Sequence, residues 1–253
     1  MKTQLRILAI MTGFVICSSG MTPSNYEKQC VSGRDAFQVK ITVIHKVGNE
    51  LLEFDTLRYQ NSSGNKYSVY TLRYFLSGIS LTKNTGETVL LKEVQYVDGR
   101  IIKTNSFLSG DLVPAGEYLF LTFQFGLNDQ FNVSGRFPNH PENRMEWPET
   151  MGGGYHYMKL EGKIESTAED LNFQAHTGRL NETSHFIRIS LPVKGLKVDH
   201  DGVSIQLIMD INQWWEQPNK LDLNDISAIM DNYQIQKQLM ENGRNVFSTG
   251  AIE

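Results

Sequence analysis

Six histidines are the side chains here best suited to chemistry, and four of them stand at the ends of segments that alternate like strands. His45 closes a run whose apolar residues are Val39, Ile41 and Val43. His156 opens a run with Met158 and Leu160 in phase. His176 closes the next run, and His185 opens the one after it, in phase with Ile187, Ile189 and Leu191. A neutral imidazole is a metal ligand, and two or three gathered at one end of a β structure could share an ion. Around His156 stand Trp147, three consecutive glycines at 152–154, and methionines at 145, 151 and 158. Thioethers beside imidazoles favour copper in its cuprous state. The glycines would serve a tight bend or let a loop approach an ion closely. A plainer reading stands beside this one: a single inward histidine is ordinarily a hydrogen-bonded core residue, and methionine ordinarily fills gaps.

The elements that must position these residues are strands. Alternating or β-rich runs cover 38–45, 69–81, 117–126, 155–161, 171–176, 185–191 and 203–211, with turn residues between them. That pattern predicts an all-β fold, a single antiparallel β-sandwich of about eight strands. Helix is expected only near the C-terminus, over 223–233, where Ile226, Ile229, Met230 and Tyr233 fall on one stripe behind a cap at Asp222 or Asn224. A hairpin between 155–161 and 171–176, centred near Ser166, sets His156 opposite His176, with Cβ atoms about 5 Å apart. Strand parity opposes this pairing. Alternation groups His176 with Asn172 and Gln174 while Phe173 and Ala175 face the core, so the imidazoles diverge unless a bulge intervenes before Thr177-Gly178. His185 returns to the same end through a short loop and is the natural substitute.

Composition removes several classes of function. The chain has 253 residues, 40% of them hydrophobic, and a net charge of −4. A basic stripe of the kind that binds nucleic acid is absent. Apolar runs stop short of the roughly 20 residues of a spanning helix, so membrane attachment would be N-terminal. Lys2, Arg6, the apolar Leu5–Ile16 and "C-S-S-G" at 17–20 read as a signal peptide over 1–20, with a lipobox-like "F-V-I-C" ending at Cys17. A polar leader covers 21–35, and one domain covers 36–253. An exported protein, periplasmic or associated with the outer membrane through a lipid anchor, is therefore expected. With only Cys17 and Cys30, a disulfide framework is excluded. "D-I-N-Q-W-W-E" at 210–216 starts like a calcium loop but puts tryptophans where an oxygen ligand and the glycine belong. Nucleophile, zinc-protease, phosphate-loop and dinucleotide motifs are missing, so an enzyme is not expected. The aromatic group Trp147, Tyr155, Tyr157, Trp214 and Trp215 could stack on sugars. Two classes thus remain: an exported metal binder, or a carbohydrate- or protein-binding sandwich with structural histidines.

Six short stretches occur in the order of a known family. They are "H-K-V-G-N-E-L" (45–51), "L-R-Y-F-L-S-G-I-S-L" (72–81), "V-P-A-G-E-Y" (113–118), "F-G-L-N" (125–128), "M-E-W" followed by "G-Y-H-Y-M-K-L-E-G", and "A-H-T-G-R" (175–179). From about Val39 to Phe247 the chain resembles the MbnP-like family of exported β-sandwich proteins associated with methanobactin operons. The resemblance implies a non-enzymatic protein in which copper is held by histidine and by a tryptophan oxidised to kynurenine. It also implies an oxidising partner of the di-haem MauG or cytochrome c peroxidase type. The matching positions are His45, His176 and Trp147. Many relatives carry a W-x-W pair, whose second tryptophan is here Glu149, and an aliphatic residue where this chain has His156, as in a histidine-enriched branch. The expected site is His45, His156 and His176 converging at one end, with Trp147 beside them and His185 in reserve.

Overall fold

The computed structural model describes residues 35–167, 169–226 and 229–253. The expected signal peptide with its lipobox-like segment, and both cysteines, lie outside the described residues. Within them no helix is long and apolar enough to cross a membrane.

The described residues are mostly β. In chain order the strands are β1 (Ala36–Phe37), β2 (Val39–Val47), β3 (Glu50–Leu51), β4 (Tyr59–Gln60), β5 (Lys66–Lys83), β6 (Thr88–Asp98) and β7 (Ser106–Leu108). They continue as β8 (Val113–Pro114), β9 (Gly116–Phe125), β10 (Met158–Ile164), β11 (Leu171–Thr177), β12 (Ile187–Val198), β13 (Val203–Asp210) and β14 (Phe247–Ile252). A seven-stranded sheet runs β11–β10–β5–β9–β12, with β4 and β6 also on β5. A five-stranded sheet runs β14–β13–β2–β3, with β7 on β2, and β1 pairs with β8. The expected single antiparallel sandwich of about eight strands is corrected here. There are fourteen described strands in three sheets, and β2 runs parallel to β13, with His45 beside Met209. Both of those strands carry the same in–out alternation, and alternation carries no information about direction.

The helix also moves. Leu223–Asp225 is only a 3₁₀ turn capped by Asp222, while α1 spans Tyr233–Asn242 behind an Asn232 side chain that accepts from Ile235 N. Ile226 and Ile229 are fully buried from irregular backbone instead. The real helix escaped an apolar periodicity search because two of its three buried residues, Gln236 and Asn242, are polar.

One large core cluster takes residues from both larger sheets, among them Ile41, Val43, Tyr74, Met158, Ile205 and Trp214. A second, aromatic cluster joins Phe75, Tyr96, Leu127, Phe131, Met145, Tyr155 and Tyr157. Tyr74 and Phe75 are neighbours in β5, so they point to opposite faces of the sheet. The second cluster therefore lies on the outer face, beneath the connection from β9 to β10.

That connection begins and ends at one residue of β5. Phe75 N donates to Tyr157 O at 3.1 Å, and Phe75 O accepts from Gly126 N at 2.8 Å. Strand β10 runs beside the first half of β5 and β9 beside the second, on the edge opposite β6. Residues 126–157 fill the gap between the two and fold back over the sheet. Each fully buried aromatic contributes about 1.5–3 kcal/mol. Anchored this way, the connection stays in place despite its glycines, which cost about 1 kcal/mol each in backbone entropy.

Candidate metal centre

The covering loop presents its side chains through local geometry. Glu146 bridges to Tyr155, and Trp147 N donates to Gly154 O at 2.9 Å, which closes the two arms of the loop. The turn between them is Gly152, Gly153 and Gly154, with φ of 112°, 65° and 83°. All three are in the left-handed region that side chains rarely adopt. A Cβ on Gly153 would run into Glu149 and Ser134, and one on Gly154 into Asn132. The glycine run thus folds Trp147 back toward His156. The indole Nε1 donates to Met151 O at 3.3 Å, and the residue is 3% exposed.

Trp147, His156 and His176 form a row. The Trp147 and His156 rings meet edge to face at 4.7 Å, and those of His156 and His176 at 5.1 Å. The expected pairing is corrected: His176 stands opposite Lys159, three residues beyond His156, because β10 starts at Met158 rather than at Tyr155. Parity held, since Lys159, Glu161 and His176 share the outer face while Met158, Leu160 and Ala175 face the core. His156 precedes the strand, so its ring is free of strand parity and reaches His176 on the outer face.

Each imidazole in the pair has one nitrogen already committed. His156 Nδ1 contacts Met145 O at 3.0 Å; a carbonyl only accepts, so Nδ1 carries the proton and Nε2 the lone pair. That Nε2 is buried without any hydrogen-bond partner. His176 Nε2 donates to Glu161 Oε1 at 2.6 Å, leaving the lone pair on Nδ1. Carbonyl or carboxylate contacts of this kind fix the tautomer of metal-ligating histidines. Burial and the nearby Lys159 charge lower the His156 pKa to about 3, so it is neutral and ready to ligate. The hydrogen bond from His176 holds Glu161 below its ordinary carboxylate value, despite partial burial.

The other expected site residues lie elsewhere. His45 faces the inter-sheet core, where Nε2 meets the Tyr74 hydroxyl at 2.8 Å. Burial lowers its pKa to about 4. Tyr74 is on the face opposite His176, so His45 does not join the row. His185 is 4% exposed and packs edge-on against Tyr233, with ring centroids 5.4 Å apart. Met158 is in the inter-sheet core, and Met145 serves the site through its carbonyl. Tyr155, Tyr157, Trp214 and Trp215 are fully buried, so they fill the cores rather than make a sugar platform.

Sequence reasoning missed two contributors. Glu161 lies two residues beyond Lys159, the register partner of His176, and correct register alone would have found it. Gly178 lets the indole sit against its backbone, since a Cβ there would lie 2.7 Å from Trp147 Cε3. Among the described residues no group of three or more His, Cys, Asp or Glu side chains is gathered to hold an ion. The donor set of the row is two imidazoles beside an indole. The His156 lone pair, buried without a partner at a cost of about 1–3 kcal/mol, is of a kind that a metal ion could use.

A mostly β protein whose outer sheet face carries a covered histidine pair is the class defined so far. The chain belongs to the MbnP family, whose model matches residues 36–232. It is similar in fold to MbnP from Methylosinus trichosporium, with a TM-score of 0.58 at 14% identity, over 85% of this chain and 98% of that one. No curated protein matches the sequence.

Proposed function

We propose that this protein binds copper, with His156 and His176 as the ligating side chains and Trp147 packed against them. The observation that carries this reading is the lone pair of His156 Nε2, buried, unpartnered and oriented by the Met145 carbonyl. Two imidazoles without a gathered set of carboxylates suit a soft ion of low coordination number better than a hard one. The chain contributes orientation and dryness: Glu161 and Met145 hold the rings, and Trp147 excludes water. Family membership supports a metal-related role.

The wider reading is an exported binder rather than a catalyst, working in the periplasm or at the outer membrane. In it, Trp147 is the residue that a di-haem partner of the MauG or cytochrome c peroxidase type would oxidise. Metal analysis of protein from its native host, followed by cuprous and cupric titration, tests the proposal. Uptake should fall sharply in His156→Ala. Equal uptake by the variant, or none by the wild type at micromolar copper, overturns it. Peroxide turnover that disappears in His156→Ala would overturn the non-catalytic part.

A further inference from the structure

Lys159 holds a positive charge against the histidine pair. Its register partner on β11 is His176, and on β5 it is Arg73. Directly paired residues have Cβ atoms about 5 Å apart, so the lysine and His176 leave the outer face side by side. The ammonium is also tied to the loop that holds His156. Lys159 Nζ donates to Arg144 O at 2.9 Å. The next carbonyl, Met145 O, accepts from His156 N at 2.6 Å and from His156 Nδ1 at 3.0 Å. Ammonium and imidazole thus hang on consecutive carbonyls of the Glu142–Met145 turn.

The neighbouring charges do not take up that of Lys159 by pairing. Arg73 has its own carboxylate, Asp98, at 2.8 Å, whereas the acceptor of Lys159 is a neutral carbonyl. Glu161 accepts from His176 Nε2 at 2.6 Å. One ammonium and one carboxylate therefore flank the two imidazoles, and without Lys159 the carboxylate would stand uncompensated. The ammonium is felt at the His156 ring: after burial, it is the largest influence opposing a proton there. A fixed charge that opposes one positive unit at this place opposes two units about twice as strongly.

We propose that Lys159 is a specificity-determining residue of the copper pair, its ammonium favouring the monovalent ion over the divalent one. This role rests on His156 and His176 being the ligands. It adds what those ligands alone leave undecided, because imidazole serves copper in either charge state.

The test measures Cu(I) and Cu(II) affinities of the full chain by chelator competition, together with the copper reduction potential. Wild type, Lys159→Met, Lys159→Arg and His156→Ala are compared, with circular dichroism checking each fold. Lys159→Met keeps the length of the stem and removes the charge. It should shift the ratio of the two affinities toward Cu(II) by about tenfold or more. Each tenfold lowers the potential by about 59 mV, because one electron is transferred. Lys159→Arg should restore the wild-type ratio. Copper uptake that depends on His156, with the same ratio in Lys159→Met as in wild type, overturns this role and leaves the copper site standing. An equal shift in Lys159→Arg and Lys159→Met also overturns it, because the stem and not the charge would then matter. No uptake by the wild type, or equal uptake by His156→Ala, overturns the site and this role together. If Lys159→Met does not fold, the wild type decides: Cu(II) held as tightly as Cu(I) overturns the role, and a preference for Cu(I) supports it.

Discussion

Glu161 determines which nitrogen His176 presents. Its carboxylate accepts a hydrogen bond from Nε2–H at 2.6 Å, so Nδ1 keeps the lone pair. Glu161→Gln preserves size while removing the charge and allowing the amide to turn either way. Copper affinity should fall about 10–100-fold, as for lost outer partners of metal-bound histidine. Chelator competition checks this, and an unchanged affinity would remove Glu161 from the site. His45 supports a different prediction, one of stability. Its pKa is about 4 in the fold and about 6.5 when unfolded, so at intermediate pH the unfolded chain binds the proton first. Stability is therefore complete above about pH 6.5, declines as pH falls toward 4, and loses about 3 kcal/mol from this residue. Urea midpoints at several pH values should show the decline, and His45→Gln should reduce it, leaving the part that buried His156 contributes. Identical pH profiles for variant and wild type would contradict the assignment.

At the scale of elements, the arrangement depends on a sheet edge shared by two strands and on the loop between them. Strands β9 and β10 meet at Phe75, and residues 126–157 cover the outer face from there. Strand β11 supplies His176, and the Trp147 ring rests against Gly178, the residue just past its end. Gly178→Ala forces the indole or the strand end to shift, because the new methyl would lie 2.7 Å from Trp147 Cε3. Overpacking of this kind costs about 1–3 kcal/mol. Urea denaturation should report that loss, and copper affinity should fall with it. Equal stability and affinity would show that the indole is not confined there. Seven strand runs were legible at this scale because each either buries alternate apolar residues or is rich in β-forming apolar ones. Strand β6 went unread, since much of it is only partly buried and polar residues interrupt it.

For the whole molecule, an ion bound to the fold but not to the unfolded chain stabilises it by mass action. At free copper about 100 times the dissociation constant the gain is about 2.7 kcal/mol. For a domain of this size that corresponds to a melting-temperature rise of about 5–10 °C. The rise should be present in the wild type and much reduced in His156→Ala. A shift of equal size in both would place copper somewhere other than this pair.

The sequence by itself determined the class of fold and the chemical vocabulary of the site. Alternation in runs such as Val39–His45 and Val203–Ile211 commits those segments to strands with one buried face, and local periodicity is enough to read that. Trp147, His156, His176 and the glycine run were also visible, because residue type and spacing are local properties. Only the tertiary structure decided their grouping. A three-residue change in hairpin register replaced His156 by Lys159 opposite His176, and the position of His156 before its strand restored the ring contact. His45 had the same sequence credentials, yet its strand lies parallel to β13 in the other sheet and turns it toward Tyr74. Strand direction, sheet assignment and the path of a long loop are set by contacts between distant residues, and those leave no periodic trace in the chain.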